Sequence, residues 1–395
     1  MSVAFESDGR CPEPAVATRW ALLALAIGAF GIGTTEFSPM GLLPVIANGV
    51  DVSIPKAGLL VSAYAGGVMV GAPIMTIAFS RFGKRTALML LMGIFTLGNL
   101  MSALAPNYDV LLLARLVTSL NHGAFFGLGA VVAAGLVSRD KQAAAVATMF
   151  MGLTIANIGG VPAATWIGQQ VGWRMAFAGT AVLGLVAIAA LAMALPRGEP
   201  GKMPDIRREL RVLTHPRVLL AMATTVLGAS AMFSLYTYVA AALETLAGAS
   251  GAFVTLCLVL IGVGFTAGNW IGGRLAGWSL DGATMLFLGA LTAIMLVMPL
   301  LLPSHIGAAV GLLFWGAAAF AMVPPVQMRV MHAASEAPGL ASSINVGAFN
   351  LGNAIGAAAG GAVIAAGYGY AMVPVAGSLF ALSGALLVWL GRQQR

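Results

Sequence analysis

Charge is what this sequence has least of. Only 8% of its 395 residues are Asp, Glu, Lys or Arg, against roughly 25% in a soluble domain that must face water on every side. A water-soluble globule is excluded. Histidine numbers 4 and cysteine 2. Cys11 in the N-terminal tail and Cys257 in an apolar stretch show no zinc-ligand spacing and suit no disulfide, so no metal and no other cofactor is expected. Gly-x-Ser-x-Gly, Gly-x-x-x-x-Gly-Lys and His-Glu-x-x-His are missing, which removes the nucleophile-elbow, nucleotide-loop and zinc-hydrolase signatures. A transporter rather than an enzyme is expected, driven by an ion gradient rather than by ATP. The first 18 residues have no apolar run and carry Glu6, Asp8 and Glu13, which excludes a signal peptide.

Apolar residues make up 59% of the chain and its mean hydropathy is +0.95. They fall in runs of about 20 residues, the length that crosses a ~30 Å hydrocarbon core. Twelve spans are predicted, at 20–46, 57–79, 86–105, 110–137, 143–168, 175–195, 217–243, 252–275, 283–302, 306–330, 339–366 and 370–391. Of the 20 Lys and Arg, all but Lys56, Arg174 and the intramembrane Arg115 lie in the tails and in alternate connections. By the positive-inside rule both termini are then cytoplasmic, which requires an even number of spans. The net charge of +7 is thus a topology signal that calls for no nucleic acid.

One long polar connection, 196–216, divides the chain. The predicted organisation is a cytoplasmic tail (1–18), a six-helix bundle (19–195), a cytoplasmic linker (196–216) with a short amphipathic helix at Ile206–Leu213, a second six-helix bundle (217–391) and a short tail (392–395). A shift of 197 residues lays Gly67 on Gly264 and Gly71 on Gly268, and a shift of 196 lays Asn157 on Asn353 and Gly160 on Gly356. Duplicated halves with a site between them near the bilayer midplane are the usual plan of a secondary transporter.

Of the 13 acidic residues only Glu36 lies deep within a span. A charge there costs roughly 2.5–3.5 kcal/mol, so the carboxyl needs a partner, a water-filled cavity or a proton. Burial favours the neutral form of a carboxyl and a nearby cation the charged one, so its proton can respond to which way a cavity opens. The plainer reading is a fixed carboxylate tying spans one and four. At 1.5 Å per residue Glu36 sits ~15 Å below the outer end, with Arg115 at ~9 Å and His122 at ~20 Å in span four. Arg115, Ser119 and His122 share one helical face. Glu36, Arg115 and His122 are therefore the candidates for proton coupling. Tyr64, Asn121, Asn157, Tyr236, Tyr238, Asn269, Gln327, Asn345, Asn350 and Asn353 are neutral polar groups within spans. Each could simply bridge helices; together they suit a cavity for an uncharged hydroxylated or amphipathic solute.

Five strings carry a family resemblance: Thr34-Thr35-Glu36-Phe37 with Met40-Gly41-Leu42-Leu43-Pro44; Arg115-Leu116-Val117 with His122-Gly123-Ala124-Phe125-Phe126-Gly127; Gly160-Val161-Pro162 with Gly172-Trp173-Arg174; Gly268 to Ala276; and Phe349 to Gly356. With them, residues 19–391 resemble the major facilitator superfamily. The nearest likeness is to its twelve-span drug:proton antiporters, in the arabinose-efflux-permease-like and sugar-efflux branch. The resemblance implies an all-α membrane protein of two pseudo-symmetric six-helix bundles, alternating access, proton coupling through Arg115 and a monomer in the bilayer. It also implies export of a small organic solute from the cytoplasmic (inner) membrane; a proton-coupled importer would use the same parts. The family's gate signature between spans two and three is incomplete. Ser80 replaces its Asp, while Arg81, Gly83 and Arg85 remain, with Lys84 where Arg is usual; the second-half copy keeps Gly273 but has Gly277 for the Asp, and Ser80, Arg81, Lys84, Arg85 and Arg274 are the gate candidates.

Overall fold

The computed structural model describes residues 15–138, 142–196, 215–334 and 338–393. The predicted linker helix Ile206–Leu213 lies outside the described residues, as do residues 1–14 of the first predicted tail and 394–395 of the last. Within the described residues twelve helices are long and apolar enough to span a bilayer. Spans one to six are Thr18–Gly49, Ile54–Phe79, Lys84–Leu104, Tyr108–Gly135, Ala145–Gln170 and Trp173–Ala194. Spans seven to twelve are Pro216–Tyr236, Gly251–Ala276, Leu280–Leu301, His305–Ala333, Ile344–Ala365 and Met372–Arg392. The described residues form no β-strand; in hydrocarbon a helix satisfies its backbone polar groups within its own segment. Side chains of Ser53, Asn107, Ser250, Ser279 and Ser304 cap helix starts by accepting a backbone N–H, as short polar residues do at an N-cap.

The two halves pack alike. In the first half span one packs on five and six, two on four, and three on six; in the second, seven packs on eleven and twelve, eight on ten, and nine on twelve. Between halves, span two meets eleven and span five meets eight, two contacts that a two-fold axis exchanges. The breaks repeat too. Span four turns between Tyr108–Ser119 and His122–Gly135, and span ten between His305–Ala321 and Val323–Ala333. In span ten, Pro324 and Pro325 withhold backbone N–H groups and so weaken the ladder at that point. Span five contains a π-turn at Ala156–Gly160. Span seven bends at Thr237 and Tyr238 before a short helix, Val239–Ala247.

On the side away from the termini the halves meet closely. Tyr238 donates to the Ala357 carbonyl at 2.8 Å and lies against Gly58 of span two and Gly361 of span eleven, where a Cβ would collide with its hydroxyl. Ser62 of span two donates to the Ala354 carbonyl of span eleven at 3.1 Å, and Thr255 of span eight to Gln169 of span five at 3.4 Å. On the termini side Arg329 of span ten donates Nε to Asp281 of span nine at 2.8 Å and Nη1 to Thr224 of span seven at 3.4 Å.

Candidate functional site

Span one is the most enclosed helix, because it packs on spans five and six of its own half and on the segment that follows span seven. Glu36 lies in its middle and is 4% exposed. Its Oε2 is 3.9 Å from His122 Nδ1. The same nitrogen is 3.1 Å from the Tyr64 hydroxyl of span two. When that hydroxyl donates, Nδ1 accepts and the neutral ring carries its proton on Nε2. His122 thus stands between a phenol and a carboxyl, and a proton on Nδ1 would turn it toward Glu36.

Arg115 is 1% exposed and is anchored without touching the carboxylate. Its Nη1 donates to the Thr35 carbonyl at 3.0 Å. Its guanidinium lies 4.2 Å from the centre of the Tyr64 ring and 5.8 Å from that of Phe177. A desolvated cation over an aromatic face gains about 2 kcal/mol. Arg115 and Glu36 still feel each other electrostatically. From the other half, Tyr236 of span seven packs on Phe37, ring centres 5.8 Å apart. The structure therefore brings together the three residues expected to couple protons and adds Tyr64 and Tyr236, both expected only in a solute cavity.

One expectation needs correction. Arg115, Ser119 and His122 do not share one unbroken helical face, because the chain turns at Leu120 and Asn121. Ser119 instead donates to the Leu116 carbonyl at 2.7 Å and packs against Gly67.

Asn99 of span three was not singled out from the sequence, although as a buried amide it meets the same criterion as Asn121. It is fully buried. Its Oδ1 accepts from the Thr35 hydroxyl and, at 2.9 Å, from Thr180 of span six, and its Nδ2 donates to the Phe95 carbonyl at 2.9 Å. Thr35 is thereby held on two sides, by Asn99 through its hydroxyl and by Arg115 through its carbonyl, next to Glu36.

The remaining polar candidates divide. Asn121 sits in the span-four turn, buried, with neither amide atom bonded. Asn157 in the π-turn and Asn350 each donate Nδ2 to the carbonyl four residues back, Leu153 at 3.0 Å and Val346 at 2.9 Å. The Oδ1 atoms of Asn157, Asn350 and Asn353 are buried and unbonded. Asn345 donates to Gln327 Oε1 at 2.6 Å, bridging spans eleven and ten. Tyr238 belongs to the contact away from the termini, and Asn269 is exposed on span eight. Of the gate candidates, Ser80 ends span two by donating to the Ile77 carbonyl at 2.7 Å, and Arg85 ties span three to the Ala192 carbonyl of span six. Arg81 and Arg274 lie over the rings of Phe82 and Trp270, and Lys84 opens span three, exposed. Asp281 and Arg329 form an ion pair on that side, a pair not singled out from the sequence.

The sequence pattern of the Major Facilitator Superfamily matches residues 25–345. The chain belongs to this superfamily. The inner membrane transport protein YdhP of Escherichia coli (strain K12) is 62% identical to it over 95% of this chain and 96% of that protein. A probable sugar efflux transporter of Pasteurella multocida (strain Pm70) is 30% identical over 93% of this chain and 90% of its own. Among solved structures, a bacterial homologue of the human lysosomal transporter Spinster, inward-facing and unoccupied, superposes with a TM-score of 0.75 at 15% identity, covering 95% of this chain and 97% of that one. This member of the superfamily is a multi-pass membrane transporter of a small solute, with the superfamily's two-bundle fold.

Proposed function

We propose that this transporter sits in the cytoplasmic membrane as a monomer, with both termini in the cytoplasm, and exports a small organic solute in exchange for protons. The observation that carries the coupling is the Glu36 carboxyl, buried in span one and 3.9 Å from His122 Nδ1, next to Phe37, whose ring packs on Tyr236 of the opposite half at 5.8 Å. As the bundles rock, water access to Glu36 changes, and with it the balance between desolvation and the nearby Arg115. A proton taken up from outside and released inside then drives the solute the other way. Arg115 keeps its place through both states because its anchors are a carbonyl and two rings. The orientation follows from the basic residues, of which only Lys56 and Arg174 fall on the side away from the termini. The outward direction draws on the relative described as a sugar efflux transporter.

The test is solute transport in proteoliposomes under an imposed pH step. Glu36→Gln should abolish gradient-driven movement while leaving solute counterflow, which needs no net proton transfer. If the variant responds to the gradient as the parent does, Glu36 is not the coupling group. Accumulation of solute along with inward protons, rather than against them, would make the carrier an importer.

A further inference from the structure

Span eight presents two faces of opposite character toward its termini-side end. Gly264, Gly268 and Gly272 lie against the carbonyls of Leu313, Ala317 and Ala321 of span ten, too close for a Cβ. Roughly half a turn round the helix from Gly272, Trp270 is 65% exposed, and Trp278, just past the last turn, is 86% exposed. Arg274 lies between them in sequence and is exposed as well. Spacings of four residues put these three side chains on one face, over about 12 Å of helix axis. Gly277 stays in the right-handed region at the helix end, and the Trp278 N–H donates to the Leu275 carbonyl at 3.1 Å, so the turn carries through to the second indole. The exposed Leu256 and Val263 continue this face toward the other end of the span. It is the side of span eight that meets hydrocarbon.

Arg274 is a gate candidate by sequence, yet its guanidinium lies over the Trp270 ring, 5.4 Å from the ring centre. Among the described residues it makes no ion pair and no hydrogen bond. The other stacked arginines differ. Arg115 and Arg174 each spend an N–H on a backbone carbonyl, that of Thr35 at 3.0 Å and that of Ala105 at 2.8 Å. Arg81 rests on Phe82, a ring with no donor of its own. At Arg274 an unspent planar fork, which takes phosphate oxygens in pairs, stands beside two exposed indoles that each carry an N–H donor. A guanidinium at the edge of hydrocarbon is costly without an anion, and tryptophan sits at headgroup level. The anion that a bilayer supplies at that depth is lipid phosphate. A headgroup without an amine fits better, because an amine would bring a second cation to Arg274. The 197-residue shift lays Pro73 on Trp270 and Ile77 on Arg274, so the cluster has no counterpart in the first half and stands apart from the two-fold transport machinery.

We infer that Arg274, flanked by Trp270 and Trp278, binds the phosphate of an anionic phospholipid in the leaflet on the termini side. That leaflet is the cytoplasmic one in the orientation proposed above; the site itself depends neither on proton coupling nor on the direction of transport. The experiment is native mass spectrometry of the purified full chain, equilibrated in detergent with equal amounts of phosphatidylglycerol and phosphatidylcholine. The parent should retain phosphatidylglycerol in preference. Arg274→Gln should lower that adduct about fivefold or more, and Trp270→Leu and Trp278→Leu should each lower it several-fold. Arg274→Lys keeps the charge without the fork and should retain only part of the preference. Arg81→Gln, which removes an equal charge elsewhere on the same side, should leave the adduct within about twofold of the parent. Phosphatidylglycerol should also raise the melting temperature of the parent and not that of Arg274→Gln, whose own cooperative melting shows that it is folded. The inference is overturned if the parent retains the two lipids equally, or if Arg274→Gln keeps the parent's adduct. An equal loss in Arg81→Gln would overturn it too, since net charge rather than a site would then hold the lipid. Displacement of the lipid by millimolar glycerol phosphate would mark a site for soluble anions and overturn it as well.

Discussion

Arg115 is held by the backbone carbonyl of Thr35, 3.0 Å from its Nη1, and not by the carboxylate one residue further along span one. Two buried opposite charges in direct contact are hard to separate. A cation anchored on a carbonyl and an aromatic face keeps its place without closing a direct pair with the neighbouring carboxyl.

Arg115→Lys should therefore fail although charge is kept. An ammonium cannot lie flat on Tyr64 while also reaching the Thr35 carbonyl, because it lacks the planar fork. Loss of the stacking and the hydrogen bond amounts to about 1–3 kcal/mol. Gradient-driven transport in proteoliposomes should fall at least tenfold, with the protein still folded by gel filtration and circular dichroism. Parent-like transport would mean that charge alone suffices.

Tyr64→Phe isolates the hydroxyl. The ring still supports the Arg115 guanidinium, but His122 Nδ1 loses its partner at 3.1 Å, a net cost of about 1 kcal/mol. His122 is then left with Glu36 as its polar neighbour. The expected outcome is a near-normal melting temperature and a displaced midpoint in transport rate against pH. An unchanged midpoint would leave Tyr64 as packing only.

Gly58→Val tests the contact between the halves. A Cβ at Gly58 would strike the Tyr238 hydroxyl, so the substitution disfavours the state in which the side away from the termini is closed. A bias of about 1.4 kcal/mol changes a two-state ratio tenfold. A cysteine introduced at Ala357 should react several-fold faster with a membrane-impermeant maleimide in Gly58→Val than in the Gly58 background. Removing the obstacle with Tyr238→Ala should reverse the gain. Equal reactivity in all three would show that this contact does not control access.

The legibility of the site differs residue by residue. Glu36 could be read directly, because a carboxylate amid apolar neighbours is conspicuous and costly, and His122 followed from its depth alone. Asn99 was overlooked because one amide in span three looks like any helix-bridging asparagine; its importance comes from Thr35 and Thr180, 64 and 81 residues away. Tyr238 showed the reverse, being polar and intramembrane by sequence yet placed at the contact between halves by a bend that no proline marks.

Length, hydropathy and the placement of Lys and Arg determined by themselves that this chain crosses a membrane twelve times, since a bilayer imposes one thickness on every helix and admits few charges. The spacing of matched glycines and asparagines already carried the two-fold repeat. Only the tertiary structure decided that Arg115 is stacked rather than ion-paired and that Tyr64 shares His122 with Glu36. Those are relations between side chains on different helices. They depend on how each helix is rotated and where it turns, and a local pattern of apolar residues does not encode either.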